Sequence, residues 1–406
     1  MLTSLAFIFL VGLSMAAICQ KLKLPRIIGM LITGIVLGPY VLNLLDPSIL
    51  SISSELRQMA LIIILLKAGL SLDLSDLKKV GRPAIMMSCV PASFEMLAFF
   101  LFAPYLLGVS RIEAAVMGAV LGAVSPAVVV PRMVQLMDSR YGTQKSIPQL
   151  IMAGASCDDI FVIVLFTTFV SMAQGGQVHI MDFVNIPVSI VLGIALGALI
   201  GFLLSMFFET AYAHKHCVRN SMKVIIVLGV SFMLMAIEAW AEGFVSISGL
   251  LAVVSMACVL KLKSITFVSK RLSEKFGKLW IAAEVILFVL VGAAVDIRYT
   301  MGAGLAAIVM IFLALAFRGI GVSICLIKTN LNWKERLFCV IAYLPKATVQ
   351  AAIGSVPLAM GLSCGQIVLS VAVLAILITA PLGAIGMDLT YKKLLVQEKL
   401  KKSETI

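Results

Sequence analysis

The stretch Gly154-Ala155-Ser156-Cys157-Asp158-Asp159-Ile160 places two adjacent carboxylates inside an apolar run that extends from Ile147 to Met172. The nearest upstream cation is Lys145, at the end of that run, so no neighbour in sequence neutralises the pair. A charged side chain near the centre of a bilayer costs at least ~2.5–3.5 kcal/mol, so acids at such positions indicate a functional site. Successive helical residues point about 100° apart, so one carboxylate can face a cavity while the other meets a neighbouring helix. The alternative is a structural role, in which the two acids only join helices.

The composition is that of an all-α polytopic membrane protein. Of the 406 residues, 61% are hydrophobic and only 13% are charged, which is typical of membrane-spanning chains. No polar stretch is long enough for a separate soluble domain, so we expect a single membrane domain over residues 1–406. The eight cysteines show no paired or metal-like spacing and are interpreted as small buried apolar residues, and no cofactor is expected.

Thirteen hydrophobic segments are each close to the length that spans a ~30 Å hydrocarbon core. The first segment has no basic region before it and is followed by its flanking cations, which is the reverse of a secretory signal. We interpret it as an uncleaved span. The segments are 2–20, 25–45, 56–73, 83–108, 113–136, 147–172, 184–212, 223–241, 245–262, 279–297, 301–327, 335–360 and 364–391.

The charge distribution predicts how these segments are oriented. When the loops are assigned alternately to two sides, 26 of the 32 lysines and arginines, Arg132 and Lys145 among them, fall on one side, whereas only Arg57, Arg111 and Arg298 fall on the other. The positive-inside rule then places the N-terminus outside and the C-terminus in the cytoplasm, in the cell membrane. The excess of basic over acidic residues therefore indicates topology and no nucleic-acid partner is expected.

A few further charges lie inside apolar runs. Lys67 can extend along its own helix to the interface, but Arg318 is deeper, and a guanidinium that is always charged needs a partner. The other embedded cation is Lys346, and the embedded acids besides the aspartate pair are Glu95 and Glu284.

An internal repeat relates the two halves of the chain, segments 1–6 and 8–13. An offset of 223 residues carries Gly69 onto Gly292, and the same offset carries Glu95 onto Arg318. We therefore predict that Glu95 and Arg318 form an ion pair across the repeat axis. Repeats that lie seven segments apart have opposite topology, and inverted repeats with a pair of interrupted helices are typical of secondary transporters.

Two prolines at similar repeat positions, Pro126 and Pro345, predict the interrupted helices. Proline removes a backbone donor and clashes with the preceding turn, which frees carbonyl groups and exposes half-helix ends. Freed carbonyls, the aspartate pair and three hydroxyls are hard oxygen ligands suited to a small alkali cation; the hydroxyls are those of Ser125, Ser156 and Thr348. Lys346 is a candidate to balance the charge of the half-helix ends, which would be a structural role.

Three motifs resemble those of the monovalent cation/proton antiporters, most closely the bacterial relatives of the animal sodium/hydrogen exchanger B branch. They are Gly118–Pro131 (GAVLGAVSPAVVVP), Gly154–Asp159 and Leu344–Val356 (LPKATVQAAIGSV). The resemblance covers nearly the whole chain and implies an NhaA-type fold and a homodimer. It implies a dimerisation (panel) domain at 1–73 and 223–297, an ion-translocating core with two crossed broken helices at 83–172 and 301–391, and a linking helix at 184–212.

The resemblance also implies roles for the embedded acids. Asp159 is expected to carry the ion and the proton by turns, as their monovalent-cation ligand, with Asp158 as its neighbour in the same site. Burial and mutual repulsion oppose ionisation of the pair and fixed cations favour it, so we expect the two to titrate as a coupled unit. Many electrogenic relatives have a lysine where this chain has Arg318, and arginine does not release a proton. This favours electroneutral exchange of Na⁺ or Li⁺ for H⁺ by alternating access between core and panel, with Glu284 as a second proton site or a dimer-domain contact.

Other classes fit the sequence less well. A potassium/proton efflux antiporter of the same fold is the main alternative, because the motifs do not set ion selectivity. A sodium-coupled organic-anion symporter can share the architecture without needing adjacent acids. An intramembrane aspartyl protease would need a Gly-x-Gly-Asp motif, which is absent, so we expect a transporter and not an enzyme. A receptor or scaffold that transports nothing is the remaining reading.

Overall fold

The computed structural model describes residues 1–22, 24–71, 81–174, 180–213, 219–241 and 247–398. Within these ranges the regular structure is helical, as predicted, apart from one isolated antiparallel bridge between Tyr141 and Gln397. The α-helices in chain order are α1 (Leu2–Lys21), α2 (Arg26–Leu37), α3 (Pro47–Ser51), α4 (Ser53–Ser71), α5 (Arg82–Met87), α6 (Val90–Leu107), α7 (Arg111–Leu121), α8 (Pro126–Asp138), α9 (Ile147–Gln174), α10 (Ile180–Ala213), α11 (Asn220–Ala241), α12 (Gly249–Lys263), α13 (Thr266–Ala293), α14 (Ile297–Cys325), α15 (Trp333–Ala342), α16 (Thr348–Ile353), α17 (Val356–Ala359) and α18 (Gly365–Leu394).

Nine helical stretches in the described ranges are long and apolar enough to cross a membrane. The chain is thus a multi-pass membrane protein. The other four predicted segments also coincide with helices, but α2 has 12 residues, α12 has 15, α4 carries three charged side chains, and α15 to α17 are interrupted. Thirteen crossings therefore stay a prediction.

The second predicted segment, 25–45, is wrong at its C-terminal end, because α2 stops at Leu37. Gly38 takes an extended conformation ahead of Pro39, as expected for a residue before proline. The chain then folds back, so that the Leu42 N–H donates to the Val36 carbonyl at 3.1 Å. Asp46 caps α3 by accepting from the Ser48 N–H at 2.8 Å. Hydrogen bonds from the Ser48 hydroxyl, the Ser48 N–H and the N-terminal amine lower the pKa of Asp46 to about 2, so Asp46 is ionised throughout the neutral range.

Two other segments differ from the prediction. The span predicted at 83–108 is divided between α5 and α6, with Pro91 at the start of α6, where its missing N–H leaves no bond unmade. The span predicted at 279–297 begins earlier, because α13 starts at Thr266. Its charged first turns were interpreted as a loop, although lysine, arginine and glutamate are good helix formers.

The helices pack in two groups. One group joins α1, α2, α4 and α11 to α13, and the other joins α5 to α9 and α14 to α18, while α10 packs mainly on α12. Glycines permit close crossings in the first group. A Cβ on Gly69 of α4 would lie 2.7 Å from Ala257 Cβ of α12, and a Cβ on Gly292 of α13 would overlap the Leu31 carbonyl of α2.

Polar contacts lie at both ends of the bundle. At one end Arg132 forms a two-pronged ion pair with Asp388, at 3.0 and 3.1 Å. At the same end Lys145 Nζ lies 2.8 Å from Glu335 Oε2. At the other end Glu113 accepts from the Ser363 hydroxyl at 2.5 Å.

Candidate functional site

The two interrupted helices meet at their breaks. The first break separates α7 from α8 at residues 122–125, and the second separates α15 from α16 at residues 343–347. The Ser125 N–H donates to the Pro345 carbonyl at 2.8 Å. Pro126 starts α8 at its first turn, where a missing N–H is tolerated. A backbone donor of the first break is therefore satisfied by a backbone acceptor of the second.

Gln350, at the start of α16, connects both breaks with one side chain. Its Nε2 donates to the Ala123 carbonyl at 2.8 Å, and its Oε1 accepts from the Ala347 N–H at 2.8 Å. Gln350 is fully buried. Because unpaired buried backbone groups are costly, this side chain stabilises a local geometry that neither helix could keep alone.

Arg318, on α14, lies at the centre of the site and is fully buried. Its Nε donates to the Tyr343 carbonyl at 2.7 Å, and its Nη1 contacts the Gly122 carbonyl. These carbonyls belong to the C-terminal ends of α15 and α7, which carry partial negative charge, so a cation is favoured there.

The same guanidinium pairs with two carboxylates. Arg318 Nη1 lies 2.7 Å from Glu95 Oε2, and Arg318 Nη2 lies 2.9 Å from Asp158 Oδ2. The structure thus brings together the two residues that the repeat offset relates. The additional contact with Asp158 was not foreseen.

Lys346 completes the cluster from the second break. Its Nζ lies 2.5 Å from Glu95 Oε2, and its backbone N–H donates to Thr379 Oγ1 at 2.9 Å. Glu95 of α6 therefore holds both cations with one carboxylate oxygen. Lys346 was interpreted as a counter-charge for helix ends, whereas the structure pairs it with Glu95.

Asp158 is fixed on one side and unpaired on the other. Its Oδ2 accepts from the Val124 N–H at 2.8 Å as well as from Arg318. Its Oδ1 has no hydrogen-bond partner within the described ranges. A carboxylate with two donors on one oxygen is stabilised in its charged form.

Asp159 differs from its neighbour. It is 7% exposed whereas Asp158 is 0% exposed, and its Oδ1 is buried without a hydrogen-bond partner among the described residues. The ion pairs of the site end on Glu95 and Asp158, so Asp159 is the carboxylate of this site that has no ion-pair partner among the described residues.

Two predicted hydroxyl ligands are also buried at the breaks. Ser125 Oγ precedes α8 and Thr348 Oγ1 begins α16, and neither has a hydrogen-bond partner in the described part of the chain. Orphaned buried oxygens of this kind at helix breaks fit the ligand chemistry of a small monovalent cation. Ser156 lies on α9, but its side chain is outside the described residues. No group of three or more His, Cys, Asp or Glu that could hold a metal ion occurs in the described residues.

Tyr343 and Gly154 form a contact that the sequence did not reveal. A Cβ on Gly154 would overlap the Tyr343 hydroxyl, so only glycine lets α9 approach the second break one turn before Asp158. The Tyr343 ring lies under Arg318, with 5.5 Å from the guanidinium carbon to the ring centroid. Gln350 and Thr379 are two further site residues that the sequence analysis missed. Each is a polar residue inside an apolar run, and that pattern could have identified them.

Glu284 is not part of this cluster. It lies half-buried on α13, in the other packing group. The charges that act on it are those of Arg26 and Lys67, and Lys67 Nζ lies 5.9 Å from the Trp280 ring centroid. Lys67 therefore has an acidic and an aromatic neighbour, Glu284 and Trp280, in this packing group.

Comparison with known proteins decides the family. Residues 5–391 match the model of the family described as sodium/hydrogen exchanger, transmembrane. The chain belongs to this sodium/hydrogen exchanger family. It is therefore a transporter and not an enzyme, and its ions are substrates, with no cofactor involved.

Curated relatives agree with this membership, and a solved structure agrees in fold. The chain is 35% identical over 393 residues to human sodium/hydrogen exchanger 9B2, covering 92% of this chain and 70% of that one. It is 31% identical over 392 residues to human sodium/hydrogen exchanger 9B1, covering 92% and 73%. In fold it is similar to the sodium proton antiporter MjNhaP1 from Methanocaldococcus jannaschii, with TM-score 0.81, 21% identity and coverage of 97% and 98%.

Proposed function

We propose that the chain exchanges Na⁺ or Li⁺ for H⁺ across the membrane, with Asp159 binding the ion and the proton by turns and Asp158 completing the site. The observation that carries the proposal is the unpaired state of Asp159 beside a cluster of paired charges. Membership of the sodium/hydrogen exchanger family supplies the reaction class.

The charges of the cluster suggest why ion and proton compete. Arg318 and Lys346 carry two positive charges in the buried site. Glu95 and Asp158 carry two negative ones and pair with them, so these four groups are neutral together. Ionised Asp159 would then stand alone in a low-dielectric region, which is costly. A proton or one monovalent cation can remove that cost, but both together would overcompensate it.

The same reasoning supports electroneutral exchange. Arg318 does not release its proton, and Lys346 is held by Glu95 at 2.5 Å. One titrating carboxylate then couples one proton to one Na⁺. A reversal-potential measurement in proteoliposomes tests this ratio, because a one-for-one exchange gives no voltage dependence.

We assign the two packing groups to the domains that alternating access requires. The group that contains α5 to α9 and α14 to α18 is proposed as the core, and the group that contains α1, α2, α4 and α11 to α13 as the panel. The linking helix is α10. Inverted repeats are supported by symmetry: Gly69 in segment 3 contacts segment 9, and Gly292 in segment 10 contacts segment 2. A shift of seven segments carries segment 3 onto segment 10 and segment 2 onto segment 9, so the two contacts are equivalent in the repeat.

Contacts at the two ends of the bundle support the proposed topology. Arg132 and Lys145 were assigned to the cytoplasm, and their partners Asp388 and Glu335 belong to segment ends assigned to the same side. Glu113 and Ser363, which bond to each other, lie at the starts of segments 5 and 13, and the alternation of the segments puts both starts outside. We propose that the chain lies in the cell membrane, with its N-terminus outside and thirteen crossings. We also propose that it forms a homodimer, and native mass spectrometry would measure the mass of that dimer.

The experiment is an exchange assay on purified protein in proteoliposomes with a preformed pH gradient. Addition of Na⁺ or Li⁺ is expected to collapse the gradient, and Asp159→Asn is expected to abolish the response. Asp138→Asn is the control, because Asp138 is an exposed aspartate at the end of α8 with no role in the site, and it should retain exchange. Normal exchange by Asp159→Asn would remove the proposed site. A response to K⁺ that exceeds the response to Na⁺ would favour the potassium/proton antiporter.

A further inference from the structure

We infer that a cavity between the two packing groups binds a small amphipathic organic anion, with Arg57 as its anion-binding residue, and that the bound anion blocks exchange. The blocking step rests on the proposed function. The binding step rests on the geometry and chemistry of the cavity alone.

The cavity has a volume of about 360 Å³, which is within the range of small-molecule sites. One wall comes from α4, α11 and α12, and the opposite wall comes from α9, α16 and α17. Its lining is mainly apolar and includes Phe166, Val170, Met235, Leu250, Ile353 and Val356. An aromatic or alkyl body can therefore lie against either wall.

Arg57 gives the cavity its charge. Its side chain lies on α4, is only 6% exposed, and lines the cavity. Its Nε and Nη1 are buried without a hydrogen-bond partner among the described residues. Buried guanidinium groups are normally paired, because an uncompensated buried charge is strongly destabilising. The two unused donors lie on different edges of the planar guanidinium, so each can donate one charge-assisted hydrogen bond to an oxygen of a carboxylate, sulfonate or phosphate.

Two acids stand near this arginine. Glu55, on the same helix, acts on the charge of Arg57 through space, and Glu238 of α11 contributes to the cavity lining. Neither acid occupies Nε or Nη1. An incoming anion must overcome some repulsion from Glu238, so we expect a ligand with one compact anionic group, placed at Arg57, and an uncharged remainder.

The position of the cavity indicates what the anion would do. α16 and α17 belong to the second interrupted helix, and α9 carries Asp158 and Asp159. A ligand that contacts these helices and α4 at the same time would hold the proposed core against the proposed panel. If exchange requires relative movement of the two, a bound anion stops it without touching the aspartates.

The probe is naphthalene-2-sulfonate, which is permanently charged and so carries no protons across the membrane. Its neutral control is naphthalene-2-sulfonamide. Thermal unfolding of the purified full chain in neutral detergent measures binding. The sulfonate is expected to raise the melting temperature in a saturable way, and the sulfonamide to bind about tenfold or more weakly, because it lacks the charge-assisted bond.

Variants locate the site. Arg57→Gln should remove the preference for the sulfonate and Arg57→Lys should keep part of it, whereas Arg111→Gln should change nothing. Arg111 is the matched control because it is an exposed arginine that was assigned to the same side of the membrane. Ala359→Phe fills the cavity without changing charge and should abolish binding of both probes, so the test does not depend on Arg57→Gln folding well.

Equal binding of the two probes, or an unchanged sulfonate effect in Arg57→Gln and Ala359→Phe, would overturn the site. A melting shift produced by phosphatidylglycerol and not by the sulfonate would assign the cavity to a lipid and also overturn it. Proteoliposome exchange is measured separately. Binding without inhibition would overturn the blocking step, and Na⁺-driven uptake of the sulfonate would show that it is a substrate. Absence of exchange in the untreated protein would count against the proposed function and leave the binding result intact.

Discussion

At the scale of the residue, Arg318 determines the arrangement of the site. It was expected to be a structural tie to Glu95, and the structure adds Asp158 and two backbone carbonyls to its partners. One guanidinium therefore fixes a helix pair, both helix breaks and one of the two aspartates. Its substitution should affect stability and ion affinity together.

Arg318→Ala leaves Glu95 and Asp158 buried without this partner. Removing one member of a buried pair typically costs about 3–5 kcal/mol, so we expect a large fall in melting temperature in detergent. Arg318→Lys keeps the charge but loses the fork that reaches both acids and Tyr343. Its melting temperature should therefore lie between those of the wild type and Arg318→Ala. If Arg318→Ala melts at the wild-type temperature, the proposed role of the cluster in stability is wrong.

Gly154 and Tyr343 provide a second test at this scale. Gly154→Ala places a methyl group on the Tyr343 hydroxyl and 3.0 Å from Met87 Cβ, and overpacking of this kind costs about 1–3 kcal/mol. Tyr343→Phe removes a hydroxyl that has no partner within the described ranges and should be nearly neutral. The double variant should recover much of the stability lost in Gly154→Ala. Strict additivity in a double-mutant cycle of melting free energies would refute the contact.

At the scale of the element, the two breaks are stabilised by each other. Gln350→Leu keeps the approximate volume of the side chain but leaves the Ala123 carbonyl and the Ala347 N–H unpaired. Each unpaired buried group costs about 1–3 kcal/mol, so thermal unfolding should occur at clearly lower temperature. Gln135→Leu, on the exposed face of α8, is the matched control and should be neutral. Equal melting of the two variants would contradict the bridging role of Gln350.

The breaks also show how far sequence reasoning reaches. Proline chemistry placed the interruptions near Pro126 and Pro345, and the repeat offset paired Glu95 with Arg318. Both depend on spacing along the chain, which a sequence displays. The contacts of Lys346 with Glu95 and of Arg318 with Asp158 depend on helix rotation and on the reach of long side chains, which a sequence does not display.

Helix ends were predicted less well, for a related reason. The early start of α13 was missed because its charged residues indicate a loop when only hydropathy is considered. The end of α2 at Leu37 depends on Gly38 and Pro39, whose effect is local, whereas the prediction followed the apolar residues that continue after them. These residues form a folded-back loop, where the Leu44 N–H donates to the Leu37 carbonyl at 3.0 Å.

At the scale of the whole molecule, the proposed topology can be tested by labelling. Ser48 and Gln144 are both exposed, and the proposed topology puts them on opposite sides of the membrane. We expect Ser48→Cys to react with a membrane-impermeant maleimide in intact cells, and Gln144→Cys to react only in inside-out vesicles. The unmodified chain, with its own cysteines, gives the background. The reverse pattern would invert the proposed orientation, and labelling of both from one side would contradict the alternation of the segments.

The proposed exchange depends on competition between a proton and a cation for Asp159. The most direct measurement is the apparent KM for Na⁺ in proteoliposome exchange, determined across a series of pH values. Competition predicts that the KM for Na⁺ rises about tenfold for each unit by which the pH falls, wherever the site is mostly protonated, while the maximal rate stays the same. A KM that does not change with pH, or Asp159→Asn that exchanges at the wild-type rate, would contradict it.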